Sequence, residues 1–129
     1  MPRVLLVEDD PQVRMVLRKT LKDRGFRCDE AEDGRVGLHR MCEATAEDDP
    51  YDFVLLDIIM PEVDGWQFLQ AVKANPLWSP TRCVVLSGRA VSSKDIARAS
   101  MLDCVHIEKR GCFMDTIGAM LTRMVASVQ

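Results

Sequence analysis

The run Phe53-Val54-Leu55-Leu56-Asp57-Ile58-Ile59-Met60 places one carboxylate among seven apolar side chains, and Pro61 and then Asp64-Gly65 follow it. An apolar run of this length between turn signals predicts a buried strand. An ionised group moved from water into such a place needs pairing or a bound cation. Asp57 therefore demands a physical reason, and the rest of the chain supplies candidates for it.

Upstream, Val4-Leu5-Leu6-Val7 is a short apolar run and reads as the first strand, stopped by Glu8-Asp9-Asp10. Asp10-Pro11 has the form of an N-cap with proline at the first helical position. Val13, Val16, Leu17 and Leu21 then recur at helical spacing with Arg14, Arg18, Lys19 and Lys22 between them, which predicts an amphipathic helix closed by Gly25. Residues 26–31 read as a weaker second strand, and Glu32-Asp33-Gly34 as a turn. A second helix is expected over roughly residues 35–46, with Val36, Leu38, Met41 and Cys42 as its apolar contacts.

Downstream, a third helix should begin near Gly65-Trp66 and end before Asn75-Pro76, because the residue before proline avoids the helical region. Cys83-Val84-Val85-Leu86 reads as a fourth strand ended by Ser87-Gly88. A fourth helix is expected from Ser92-Ser93, a short fifth strand over residues 104–107, and a last helix over roughly 113–126 with Ile117, Met120, Leu121 and Met124 as its stripe. Strands alternating with helices imply an α/β fold, a doubly wound parallel sheet with helices on both faces.

The chain has 129 residues, enough for one domain with a real core and no disulfide or structural metal. Hydrophobic residues make up 47%, which favours a globular chain. The formal charge of −3 gives no support for direct nucleic-acid or membrane-surface binding, which favours a basic balance. Five cysteines, Cys28, Cys42, Cys83, Cys104 and Cys112, show no CxxC spacing, so reduced thiols packed in a cytoplasmic protein are expected.

In an open parallel sheet the functional crevice lies beyond the carboxyl ends of the strands, where the strand order reverses. Four of the five expected strands bring a polar group to that edge: Glu8-Asp9, Asp57, Ser87 and Lys109. Clustered carboxylates repel one another unless a cation sits among them. Mg²⁺ fits, since it takes oxygen ligands and keeps waters beside one or two carboxylates and phosphate oxygens. Lys109 adds a point charge and Ser87 a hydroxyl donor for a phosphoryl group, leaving Asp57 as the nucleophile. Neither GxGxxG nor a GxxxxGK[ST] loop is present, so a small phosphodonor or a phosphorylated protein is expected rather than bound ATP.

Glu8-Asp9, Asp57, Met60-Pro61, Asp64-Gly65, Ser87-Gly88 and Lys109 together resemble the CheY-like receiver domain of two-component response regulators, over nearly the whole chain. The resemblance implies a single receiver domain over residues 1–129, flavodoxin-like, with strand order 2-1-3-4-5. It implies that Asp57 accepts a phosphoryl group from a phosphohistidine on a sensor kinase or a phosphotransfer protein. Asp9 and Asp57 would ligate Mg²⁺, with Glu8 acting through water and the Ile59 carbonyl completing the protein's share. Ser87 and Lys109 would contact the phosphoryl oxygens, and Ser87 and His106 would form the switch. The face of strand four, helix four, strand five and helix five would then change partners, meeting a downstream effector or forming a homodimer. Such a protein is a phosphoacceptor rather than an enzyme in the usual sense.

Some positions depart from the family's usual pattern. Arg110 stands where proline commonly follows the lysine, and a cis bond before a non-proline residue costs about 3 kcal/mol. His106 stands where Tyr or Phe is usual and brings a group that ionises near neutral pH. Apolar Ile59 cannot orient an attacking water, which predicts a persistent phosphoryl state.

Blander roles compete for several of these residues. Asp10 reads as a cap, Asp64-Gly65 as turn chemistry, His39 as a surface residue, and Trp66 and Trp78 as packing around the third helix. Two other functions stand beside the leading one: a receiver-like interaction module not regulated by phosphorylation, and an Mg²⁺-dependent hydrolase with an aspartyl nucleophile. The hydrolases of that kind carry their nucleophile after the first strand, whereas Asp57 follows the third.

Overall fold

A computed structural model describes residues 2–57, 65–87, 97, 101, 102, 104–108 and 113–128. Five parallel strands form one sheet in the order β2-β1-β3-β4-β5: β1 (Arg3–Val7), β2 (Arg27–Ala31), β3 (Phe53–Asp57), β4 (Arg82–Ser87) and β5 (Val105–Glu108). The helices are α1 (Pro11–Asp23), α2 (Gly34–Ala46), α3 (Gly65–Ala74) and a C-terminal helix, Phe113–Val128. This is the expected fold and strand order. Most of the expected fourth helix lies outside the described residues, although Ala97 and Met101 are helical.

The sheet is buried on both faces because the middles of its central strands, Val4–Val7, Phe53–Leu56 and Cys83–Leu86, are apolar and buried. Val4 and Leu6 of β1, Phe53 and Leu55 of β3, and Val84 and Leu86 of β4 face Leu17 and Leu21 of α1 and Ile117 and Leu121 of the C-terminal helix. The alternate residues, Leu5, Val7, Val54, Leu56, Cys83 and Val85, face Met41 and Ala44 of α2 and Phe68, Leu69 and Val72 of α3. Period-two alternation thus feeds two cores at once. Fully burying each Leu or Val contributes roughly 1.5–3 kcal/mol relative to leaving it exposed.

Local signals set the helix ends. Asp10 caps α1 by accepting from the Gln12 and Val13 amides, with Pro11 at the first position. Asp33 caps α2 through the Val36 amide at 2.8 Å. Gly25, at φ +89°, turns the chain after α1 in the left-handed region that glycine enters freely.

The structure corrects two expected apolar contacts. Val16 is exposed at 46%, because the stripe of α1 is completed by Val13, Leu17 and Leu21 without it. Cys42 is also exposed, since Gly37, Met41 and Ala44 turn a different line of α2 toward the sheet. Trp66 is buried as expected, and Trp78 packs against the same core while its Nε1 donates to Thr45 Oγ1 at 2.8 Å.

Candidate functional site

The chain leaves β1 toward β2 on one side and toward β3 on the other, so the strand order reverses between β1 and β3. Val7 pairs with Leu56 in register, which sets Glu8, the next residue, beside Asp57, the last of β3. Carboxylate oxygens of Glu8, Asp9 and Asp57 all lie within 4.8 Å of one another. Glu8 is 1% exposed and Asp57 9%, whereas Asp9 stands open to solvent. The carboxylate that looked misplaced in an apolar run is therefore a strand-end group at the rim of the sheet.

Glu8 is held from three directions. Its amide donates to Ala31 O at 3.1 Å, extending the β1–β2 pairing by one residue. Its carbonyl accepts from Arg14 Nη1 at 2.9 Å, and its Oε1 accepts from the Asp10 amide at 3.3 Å. Arg14 is itself steered by Glu30, whose carboxylate takes Arg14 Nε and Arg18 Nη1, each at 3.2 Å. Arg40 Nε donates to the Glu30 carbonyl at 3.3 Å. The helical spacing sets Arg14 among the charged residues between the apolar positions of α1 and assigns it no part at this rim. The signal was the three-residue step from the α1 start, which aims Arg14 back over the β1 terminus.

Ser87 ends β4 one residue beyond Leu86, the register partner of Asp57, so its backbone reaches the same rim. His106 lies in β5 opposite Val85. The side chains of Ser87 and His106 lie outside the described set, as do Ile59, Lys109 and the Lys109–Arg110 bond. His39 is 75% exposed and meets Glu43 at 2.9 Å one helical turn on, a surface pair as expected.

Three carboxylates with no nitrogen or sulfur donor form an all-oxygen set, the kind that hard divalent cations take. The same set repels itself when empty of positive charge. A cavity of about 600 Å³ lies at the opposite edge of the sheet, near Pro2, Phe53 and Arg82, and none of the three carboxylates lines it.

Residues 4–109 match the response regulator receiver domain family. The transcriptional activator protein IrlR of Burkholderia pseudomallei is 44% identical over 71 residues, covering 55% of this chain and 29% of IrlR. The chain thus spans under a third of that relative's length. The two-component response regulator ORR41 of Oryza sativa is 40% identical over 90 residues, covering 68% of each chain. The chemotaxis protein CheY4 of Vibrio cholerae superposes with a TM-score of 0.80 at 26% identity, over 95% of this chain and 98% of that one. With the sheet order, the acidic rim and this match over most of its length in agreement, the chain belongs to the response regulator receiver domain family of two-component signalling.

Proposed function

We propose that Asp57 is the phosphoacceptor of this receiver domain and that Glu8, Asp9 and Asp57 serve a Mg²⁺ site beside it. The observation that carries the reading is the meeting of these three carboxylates within 4.8 Å at the switch point of the sheet. Mg²⁺, when bound, neutralises charge on the transferring phosphoryl oxygens. Asp9 and Asp57 would hold the ion directly, with Glu8 acting through water and the Ile59 carbonyl completing the protein's share.

An Asp57 carboxylate oxygen attacks the phosphorus of a phosphohistidine on a sensor kinase or phosphotransfer protein. The P–O bond forms as the P–N bond breaks, and the departing imidazole nitrogen takes its proton from solvent. Arg14 keeps the Glu8 backbone in place while this happens. Ser87 and Lys109 bind the phosphoryl oxygens, and Ser87 and His106 pass the event to the face around β4 and β5, where an effector or a second copy docks. Residues 1–129 act in the cytoplasm as one receiver unit, and the chemistry of that unit is limited self-phosphorylation and self-dephosphorylation. Apolar Ile59 leaves the acyl phosphate long-lived.

Incubation with Mg²⁺ and phosphoramidate, followed by intact mass measurement, tests this. One base-labile phosphate is expected, lost in Asp57→Asn and strongly reduced in Asp9→Asn. An adduct that survives Asp57→Asn would remove Asp57 from the role.

A further inference from the structure

Cys83 stands near the start of β4, and Cys104 immediately precedes β5. Val84 pairs with Val105, so Cys83 and Cys104 are neighbours one step earlier in the same register. Adjacent strands run about 4.8 Å apart, which lies within the Cα separation of roughly 4.4–6.8 Å that a disulfide spans. Both side chains pack against the same core, where Cys83 Sγ donates to the Thr81 carbonyl at 3.8 Å and Cys104 Sγ to the Leu102 carbonyl at 3.2 Å. Cys83 is buried, whereas Cys104 is half-buried just before the edge strand β5, so a small reagent reaches the pair from one side.

We propose that Cys83 and Cys104 form a reversible dithiol–disulfide pair that, on oxidation by small disulfides, ties β4 to β5. The Cys104 thiolate attacks one sulfur of the small disulfide. That S–S bond breaks, a protein mixed disulfide forms, and the first small thiol leaves and takes up a proton. Cys83 then attacks the Cys104 sulfur, closing the protein disulfide and releasing the second small thiol. Two protein thiols lose two electrons in all, and one small disulfide becomes two thiols.

The order of attack follows from the surroundings of Cys83. Its hydrogen bond to Cys104, then burial, then repulsion by the Cys104 sulfur hold the Cys83 proton on well above its ordinary range. Cys83 is therefore a poor first nucleophile. Capping Cys104 as a mixed disulfide removes the first and third of those causes and frees Cys83 to close the bond. The resulting clamp joins the two strands that carry Ser87 and His106, at the end away from Asp57. The pairing depends on none of the phosphoryl chemistry, and its test reads sulfur alone.

The wild-type chain is treated with excess oxidised glutathione in mildly alkaline buffer, quenched with acid, alkylated and mapped without reduction. Exposed Cys42 serves as the internal control for oxidant action. The expected product is a peptide pair joined through Cys83 and Cys104 that separates with dithiothreitol. In Cys104→Ser, Cys83 is expected to remain a thiol. Glutathionylated Cys42 with both Cys83 and Cys104 still alkylated would overturn the proposal, as would glutathione persisting on Cys104 of the wild type.

Discussion

Arg14 shows how much one side chain carries at this rim. Its guanidinium bridges Glu30 of β2 and the Glu8 carbonyl, and its side chain is 21% exposed. Hydrogen bonds to charged groups contribute about 1.5–3 kcal/mol each, less where solvent competes. Arg14→Ala is expected to cost about 1–2 kcal/mol of stability in urea unfolding and to weaken Mg²⁺ binding in calorimetry. Unchanged Mg²⁺ affinity would reduce Arg14 to a strand–helix tie. The thiols offer a second residue-scale test. Burial, aided chiefly by Asp29, pushes the Cys28 thiol up to about 11, and Cys83 is buried. Thiolates are the reactive form, so iodoacetamide should modify Cys42 well before Cys28 or Cys83, as timed peptide mapping would register.

Between elements, close approach and charge pairing set the geometry. α2 lies so near the sheet and α3 that a Cβ on Gly37 would meet Phe68 Cε2 at 2.8 Å and Val7 Cγ2 at 3.2 Å. Phe68 is fully buried and has nowhere to swing. Gly37→Ala is therefore expected to cost about 1–3 kcal/mol by overpacking, despite alanine's better helix propensity. A stabilised variant in urea unfolding would show that α2 has slack.

A second tie joins β1, β2 and the segment entering β3. Asp29 accepts from Arg3 Nη2 and from Tyr51 Oη, both at 2.7 Å, while Arg3 stacks 4.4 Å over the Tyr51 ring. Burial pushes the Asp29 carboxyl up, but hydrogen bonds from Tyr51 and Arg3 outweigh it and leave the carboxyl below its ordinary 3.8. A carboxyl depressed in the folded state contributes stability above its unfolded pKa and loses it as pH falls through the folded one. Asp29→Asn should thus be less stable than wild type near neutrality. That gap should close as pH drops below about 3.8. A gap independent of pH in urea midpoints would mean that shape rather than charge holds the cluster.

For the molecule as a whole, the acidic rim sets function against stability. Carboxylates brought within 4.8 Å repel one another, and removing one charge relieves part of that repulsion. Thermal unfolding in EDTA should therefore show Asp57→Asn above wild type. Mg²⁺ should raise the wild-type midpoint, with about 2.7 kcal/mol expected at a hundredfold excess over Kd. It should raise Asp57→Asn much less. Equal gains in both proteins would place the cation elsewhere.

The parallel sheet and the rim residues were legible in the amino-acid sequence for definite reasons, whereas the strand order came through the family resemblance. Central parallel strands are apolar through their middles, caps such as Asp10-Pro11 mark helix starts, and a polar residue at a strand end has one edge to go to. Asp57, Glu8 and Asp9 followed from those rules alone. Which line of a helix turns inward did not, because Val16 and Cys42 fit an apolar stripe as well as their neighbours and were left outside by the packing angle of α1 and α2. The Arg14–Glu30–Glu8 bridge, the Arg3–Asp29–Tyr51 tie and the Cys83–Cys104 contact join residues 6 to 48 positions apart in the chain. Local patterning specifies elements and their ends, whereas such partnerships exist only once strand order and register have brought distant residues together.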